Sequence, residues 1–166
     1  MAIWTDLADR AYKQVLSSEF VNQLLGNVKW VREQITDNRA PLVQKDGADG
    51  IVTSGTTGVA LVPTQTFELA EPRWVRVSYR VEGTVPANTW ASWRVWAALD
   101  GSPGPRWQGQ CDGKASGNVA GSRATAHMTY VKQLAAGPHT LTLTMLKEIG
   151  DGEVTTGLPS VTVTYV

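Results

Sequence analysis

The sequence predicts a mainly β protein: an antiparallel β-sandwich or jelly roll of about eight strands, preceded by a short N-terminal α-helical segment. Three observations carry that prediction. Residues 51–166 contain several runs in which apolar and polar side chains alternate. Stretches rich in Gly, Pro, Asn and Asp, the residues of turn chemistry, separate these runs. Before residue 37 the period changes, and apolar residues recur at steps of three and four. The chain therefore divides into a helical assembly or docking segment at 1–36, a polar connector at 37–50 and a β-sandwich domain at 51–166.

The helical segment reads as two pieces. Thr5 is placed to cap DLADRAYKQVL, and Ser17 or Ser18 to cap the second piece. Glu19 then falls in the first turn, where the helix dipole favours an anion. Val21, Leu24, Val28, Val31 and Ile35 fall on one stripe with the spacing of a coiled-coil seam. Leu25 widens the stripe, and Gly26 inside the helix costs about 1 kcal/mol relative to alanine. So short a helix is marginal alone in water. It needs a partner surface, either the β domain of its own chain or a neighbouring molecule.

The strands follow from their faces. In WVRVSYRV, Val75, Val77, Tyr79 and Val81 point one way, and Trp74, Arg76, Ser78 and Arg80 the other. HTLTLTML sets Leu141, Leu143 and Met145 against threonines, and SVTVTYV sets Val161, Val163 and Tyr165 against Thr162 and Thr164. RATAHMTYV sets Ala124, Ala126, Met128 and Tyr130 against Thr125, His127 and Thr129. Such alternation gives each strand one buried and one wet face. Further strands are expected near 57–62, 66–70, 90–98 and 105–111, and GKASGNVAGS at 113–122 reads as a mobile loop.

Composition and motifs narrow the chemistry. The chain has 166 residues, with 15 basic and 15 acidic side chains and no Lys/Arg block. That balance argues against a nucleic-acid partner. The single cysteine, Cys111, excludes an intrachain disulfide and a cysteine zinc cluster within one chain. The N-terminus carries Asp6 and Asp9 without a basic and apolar leader, so no signal peptide is read there. No apolar run is long enough to predict a membrane span. His127 and His139 match no metal or triad spacing, and Glu68 and Glu71 give no convergent acid pair. The expectation is a protein without catalytic residues, cofactor or metal, and not an enzyme.

The seven tryptophans are the more informative feature. In TWASWRVWAAL, Ala91, Trp93, Val95 and Ala97 form an apolar side that belongs in the core. Trp90 and Trp96 share the opposite side with Ser92 and Arg94. Trp74 shares a face with Arg76 and Arg80, where guanidinium–indole stacking is expected. Trp107 lies on the same strand face as Cys111, whose expected role is a small buried thiol. Trp74, Trp90, Arg94, Trp96 and Trp107 are the candidates for an interface or a glycan surface. A subunit interface ranks ahead of packing under a loop, and that ahead of sugar stacking.

The stretch VLSSEFVNQLLGNVKWV resembles a short segment found near the start of many tailed-bacteriophage virion proteins. The resemblance rests on a Ser17 or Ser18 cap, Asn22, the pair Leu24 and Leu25, Asn27 and Val31. The closing strands LAAGPHTLTLTMLKE and SVTVTYV are similar to those of trimeric jelly rolls in phage fibres, which in turn resemble the tumour-necrosis-factor-like family. What the resemblance implies is a virion structural protein, tail- or fibre-associated, made in the host cytoplasm. Its implied partners are copies of itself as a trimer, other virion proteins and a host surface glycan. A capsid decoration protein and a carbohydrate-binding module are the alternative expectations. The residue pattern alone, with Val and Ile at a and Leu at d, favours two strands, so the trimer comes from the resemblance.

Overall fold

The computed structural model describes residues 22–29, 31, 41–114 and 121–166. The chain forms two units, Met1–Asp37 and Asn38–Val166. In the first, residues 22–29 and 31 are helical, as the 3–4 spacing predicts. Val21, Ile35 and the expected serine caps lie outside the described residues, as does most of the 113–122 loop.

The second unit contains, among the described residues, ten strands. They are β1 (Val43–Asp46), β2 (Val52–Thr53), β3 (Val59–Leu69), β4 (Arg73–Val85), β5 (Trp90–Leu99), β6 (Ser102–Pro103), β7 (Trp107–Asp112), β8 (Ser122–Leu134), β9 (Gly137–Gly150) and β10 (Val154–Tyr165). β2 and β6 are two residues each, which leaves eight strands of substance. One sheet runs β1-β10-β4-β8, with β2 also beside β10. The other runs β3-β9-β5, with β7 beside Trp90–Val95 and β6 beside Ala98–Leu99. Every pairing is antiparallel. From β2 to β5 and again from β7 to β10 successive strands cross between the sheets, and the first and last strands lie side by side, as in a jelly roll.

The alternation places the side chains as predicted. Val75, Val77, Tyr79 and Val81 of β4 are buried, as are Leu141, Leu143 and Met145 of β9. Ala91, Trp93, Val95 and Ala97 of β5, which lies beside β9 in the same sheet, face the β4 side chains across the core. Two tyrosines tie the sheets together. The Tyr79 hydroxyl donates to the carbonyls of Val95 and Pro105 at 3.2 and 3.0 Å, and Tyr130 donates to that of Ala97 at 3.2 Å. Burial pushes the Tyr130 pKa up to about 12, helped by the nearby Tyr79, so it remains a donor across the physiological range.

Two strand expectations change. β1 falls inside the segment read as connector, 37–50. Only Val43 of its four residues is buried, so no alternation marks it. The two segments expected at 57–62 and 66–70 are one strand, β3, with register shifts around Val62. Pro63 sits at that irregularity in an edge strand, where a missing N–H breaks no ladder. The Asp100-Gly101 hairpin joins β5 to β6, and both residues have positive φ, 52° and 73°. That is the backbone of a type I′ turn, which Asp-Gly suits.

Trp93 is the largest fully buried side chain. It lies across the sandwich against Gly83 of β4, where a Cβ would stand 2.6 Å from the indole. Its Nε1 donates to Cys111 Sγ at 3.4 Å, and that thiol lies 3.3 Å from the Gly83 carbonyl. Burial raises the Cys111 pKa, so the group stays a thiol and can donate to that carbonyl. Gly83→Ala forces the ring to shift in a packed core, and we expect a loss of about 1–3 kcal/mol. Urea denaturation of the variant checks this. An unchanged midpoint refutes the interlock.

Candidate functional site

The outward face of β5 carries Trp90, Ser92, Arg94 and Trp96, because alternation turns Ala91, Trp93 and Val95 inward. Register then brings side chains of two other strands beside them. Arg94 is opposite Gln108 of β7 and Leu146 of β9, Ser92 is opposite Gln110, and Trp96 is opposite Thr144. Arg94 forms an ion pair with Glu148 at 2.6 Å. The second Glu148 oxygen accepts from the Ser92 hydroxyl at 3.4 Å. Glu148 enters this pair at the one register shift between β5 and β9. The Arg106 guanidinium stands 5.1 Å from the Trp96 ring centroid. At the strand's start the Trp90 N–H donates to Asp151 at 2.9 Å, and Asp151 pairs with Lys114.

The opposite outer face, formed by β4, β8 and β10, is hydroxyl-rich. Thr162, Ser78 and Thr129 form one row across the three strands, with the last two hydroxyls 3.0 Å apart. Trp74 is 53% exposed on this face, and Val131, opposite Arg76, is 46% exposed.

The predicted residues therefore separate. Trp90, Arg94 and Trp96 share one face, and Trp74 belongs to the other sheet. Trp107 points inward with Cys111, so it is not an outer-face residue. Its ring lies 4.6 Å from that of Trp93 and packs over Gly109, where a side chain would collide with it. The expected Trp74–arginine stack is also replaced. Among the described residues, the guanidinium–ring contacts are Arg73 over Tyr165 and Arg106 over Trp96. Glu148, Arg106, Gln108 and Gln110 were not among the sequence candidates. In WQGQC the alternation could have marked both glutamines as outward. Nothing local marks Glu148 as a partner of Arg94.

On the helix, Leu24, Leu25, Val28 and Val31 are 38%, 60%, 57% and 46% exposed. Val21 and Ile35, the remaining members of the predicted stripe, are outside the described residues. Among the described residues, no cluster of three or more His, Cys, Asp or Glu side chains could hold a metal ion. No described helix is long and apolar enough to cross a membrane.

His139 serves the fold. Its Nδ1 is 2.8 Å from an Asp100 oxygen and its Nε2 is 3.0 Å from the Ala135 carbonyl, beneath the Phe67 ring. Two acceptors suit a doubly protonated ring. The Asp100 hydrogen bond, then the Ala135 carbonyl, raise the His139 pKa against the opposing effects of burial and Lys132. Burial works against the Asp100 carboxylate, but the Thr140 N–H, His139 and Lys132 outweigh it and lower its pKa. The signs set a window. The raised His139 contributes fully below about pH 6.5 and loses its contribution as pH rises through its folded value. The lowered Asp100 contributes above about pH 4 and loses its contribution as pH falls through its folded value. Thermal melts should therefore show the largest advantage of wild type over Asp100→Asn between about pH 4.5 and 6. A difference that is flat from acid to alkaline pH refutes the pairing.

No family model matches the chain, and no curated protein matches it. Solved structures do. The insecticidal delta-endotoxin Cry8Ea1 from Bacillus thuringiensis aligns with a TM-score of 0.44 and 12% identity, over 72% of this chain and 20% of that one. Dimeric latent PorU from Porphyromonas gingivalis aligns with a TM-score of 0.47 and 10% identity, over 74% and 12%. The CBM36-1 domain of a multidomain xylanase from the hindgut metagenome of Trinervitermes trinervoides aligns with a TM-score of 0.39 and 12% identity, over 75% and 98%. The chain spans a fifth or less of the length of the first two. At these scores none of them bears on what this chain does.

Proposed function

We propose that this protein is a structural component of a bacteriophage virion, surface-exposed and tail- or fibre-associated, that assembles as a symmetric oligomer. The N-terminal helix is the assembly element and the jelly roll is the outward domain. The observation that carries this reading is the exposure of Leu24, Val28 and Val31 on one helical stripe. They occupy d, a and d positions of a heptad pattern whose other a positions are Val21 and Ile35. Each such side chain gains roughly 1.5–3 kcal/mol when fully buried. Packing against copies of itself supplies that burial and offsets the low intrinsic stability of a short helix. Ring closure repeats the same contact around an axis, so the sandwiches are presented side by side. The trimeric state and the virion location rest on the resemblance of the N-terminal segment to tailed-phage proteins.

Light scattering on the purified chain should give an oligomer. Leu24→Asp should yield monomers while the β-sheet circular dichroism is unchanged, since Leu24 lies outside the core. A monomeric wild type, or an oligomer indifferent to Leu24→Asp, overturns the assembly reading. In virions separated into heads and tails, the protein should travel with the tails; recovery with the heads favours a capsid decoration protein instead.

A further inference from the structure

We propose that the outer face of β5 is a binding strip for a neutral oligosaccharide of flat pyranose rings. Trp96 is the stacking platform, and Arg94, Glu148, Gln108 and Gln110 are the hydroxyl-binding groups. This adds a ligand class to the outward domain and does not depend on the assembly reading.

The chemistry of the strip selects the occupant. A guanidinium, a carboxylate and two primary amides sit on neighbouring strands along β5 between two half-buried indoles, Trp90 and Trp96. Each of those polar groups is planar and offers paired donors or acceptors, which suits the adjacent hydroxyls of a sugar. Arg106 covers one face of the Trp96 indole, and the proposed stacking uses the other, a π face that suits the C–H side of a pyranose, whose hydrogens carry partial positive charge. Trp90 and Trp96 are six residues apart along one strand, about 20 Å, which is the reach of a short oligosaccharide.

The strip is also preorganised. Arg94 and Ser92 both hold Glu148, and Arg106 stands over Trp96. Side chains fixed before binding lose less entropy on contact. β5 itself is clamped from beneath by the tyrosine bonds to the Val95 and Ala97 carbonyls.

Other occupants fit less well. The core of a protein interface is depleted in acidic side chains, whereas Glu148 occupies the centre of this strip. Glu148 neutralises Arg94, and the chain has no net charge, so a polyanion finds little counterion release. A few placed polar groups around an aromatic contact are the usual composition of a small-molecule site.

The test uses the full chain with cellohexaose and chitohexaose as probes, followed by tryptophan fluorescence and calorimetry. We expect saturable binding of at least one probe. Trp96→Ala should weaken it about tenfold or more, and Trp74→Ala, on the other sheet, should leave it unchanged. Trp96 packs near Gly58 and Thr144, so the exposed pair Gln108→Ala/Gln110→Ala provides a second variant that keeps the wild-type melting curve. It too should bind about tenfold more weakly. Leu24→Asp should bind each probe as wild type does in calorimetry, which separates this proposal from the assembly reading. Absence of saturable binding overturns the proposal. So does binding that survives both β5-face variants, or that is lost in Trp74→Ala.

Discussion

The sandwich is organised around the way Trp93 crosses it. An indole is the largest side chain a core must accommodate, and here it is fully buried. Burial demands space on the facing sheet, and Gly83 leaves that space. It also demands an acceptor for Nε1, which Cys111 supplies from the neighbouring strand. Trp107 then closes over the ring, and it can do so because Gly109 has no side chain. Each residue in this chain of contacts is explained by the previous one. The lone cysteine, a small buried thiol as its strand face predicts, is an indole acceptor with a raised pKa.

That interlock fixes β5 from within, and the fixed strand decides what can happen outside. β5 is central in its sheet, with β9 on one side and β6 and β7 on the other. Its inward residues fill the core and its outward ones, Trp90, Ser92, Arg94 and Trp96, take their spacing from the same backbone. The register shift opposite Ser92 and Trp93 accommodates Glu148, so the ion pair with Arg94 forms across a strand irregularity. The other outer face has hydroxyl rows, a more exposed tryptophan and its own Arg123–Glu82 ion pair, but among the described residues no guanidinium stands over that tryptophan. Among its described residues, the helical unit carries neither kind of surface. Its apolar stripe is suited to a copy of itself, which assigns assembly and recognition to separate parts of the chain on the readings proposed here.

The limits of sequence reasoning are visible in particular residues. Val75, Val77, Tyr79 and Val81 were assigned to the core correctly because a period of two leaves no other side for them. Trp93 was separated from Trp90 and Trp96 by the same argument. β1 carries no sequence signal, because one buried valine in four residues makes no period. Trp107 is an interface or glycan candidate by residue type, but the alternation it shares with Cys111 turns it inward. The Asp100–His139 pair joins a β-turn to a strand entrance about forty residues away, and no local pattern announces such a contact.

By itself, then, the sequence determined the class of fold, the strand faces, the core side of β5 and the presence of a helical stripe, because each follows from the fixed periods of backbone geometry. Only the tertiary structure decided which strands are neighbours. That placed Gly83 under Trp93 and put Glu148 and Gln108 on opposite sides of Arg94, since strand pairing between distant segments depends on how whole faces pack and not on any residue's own neighbours in the chain.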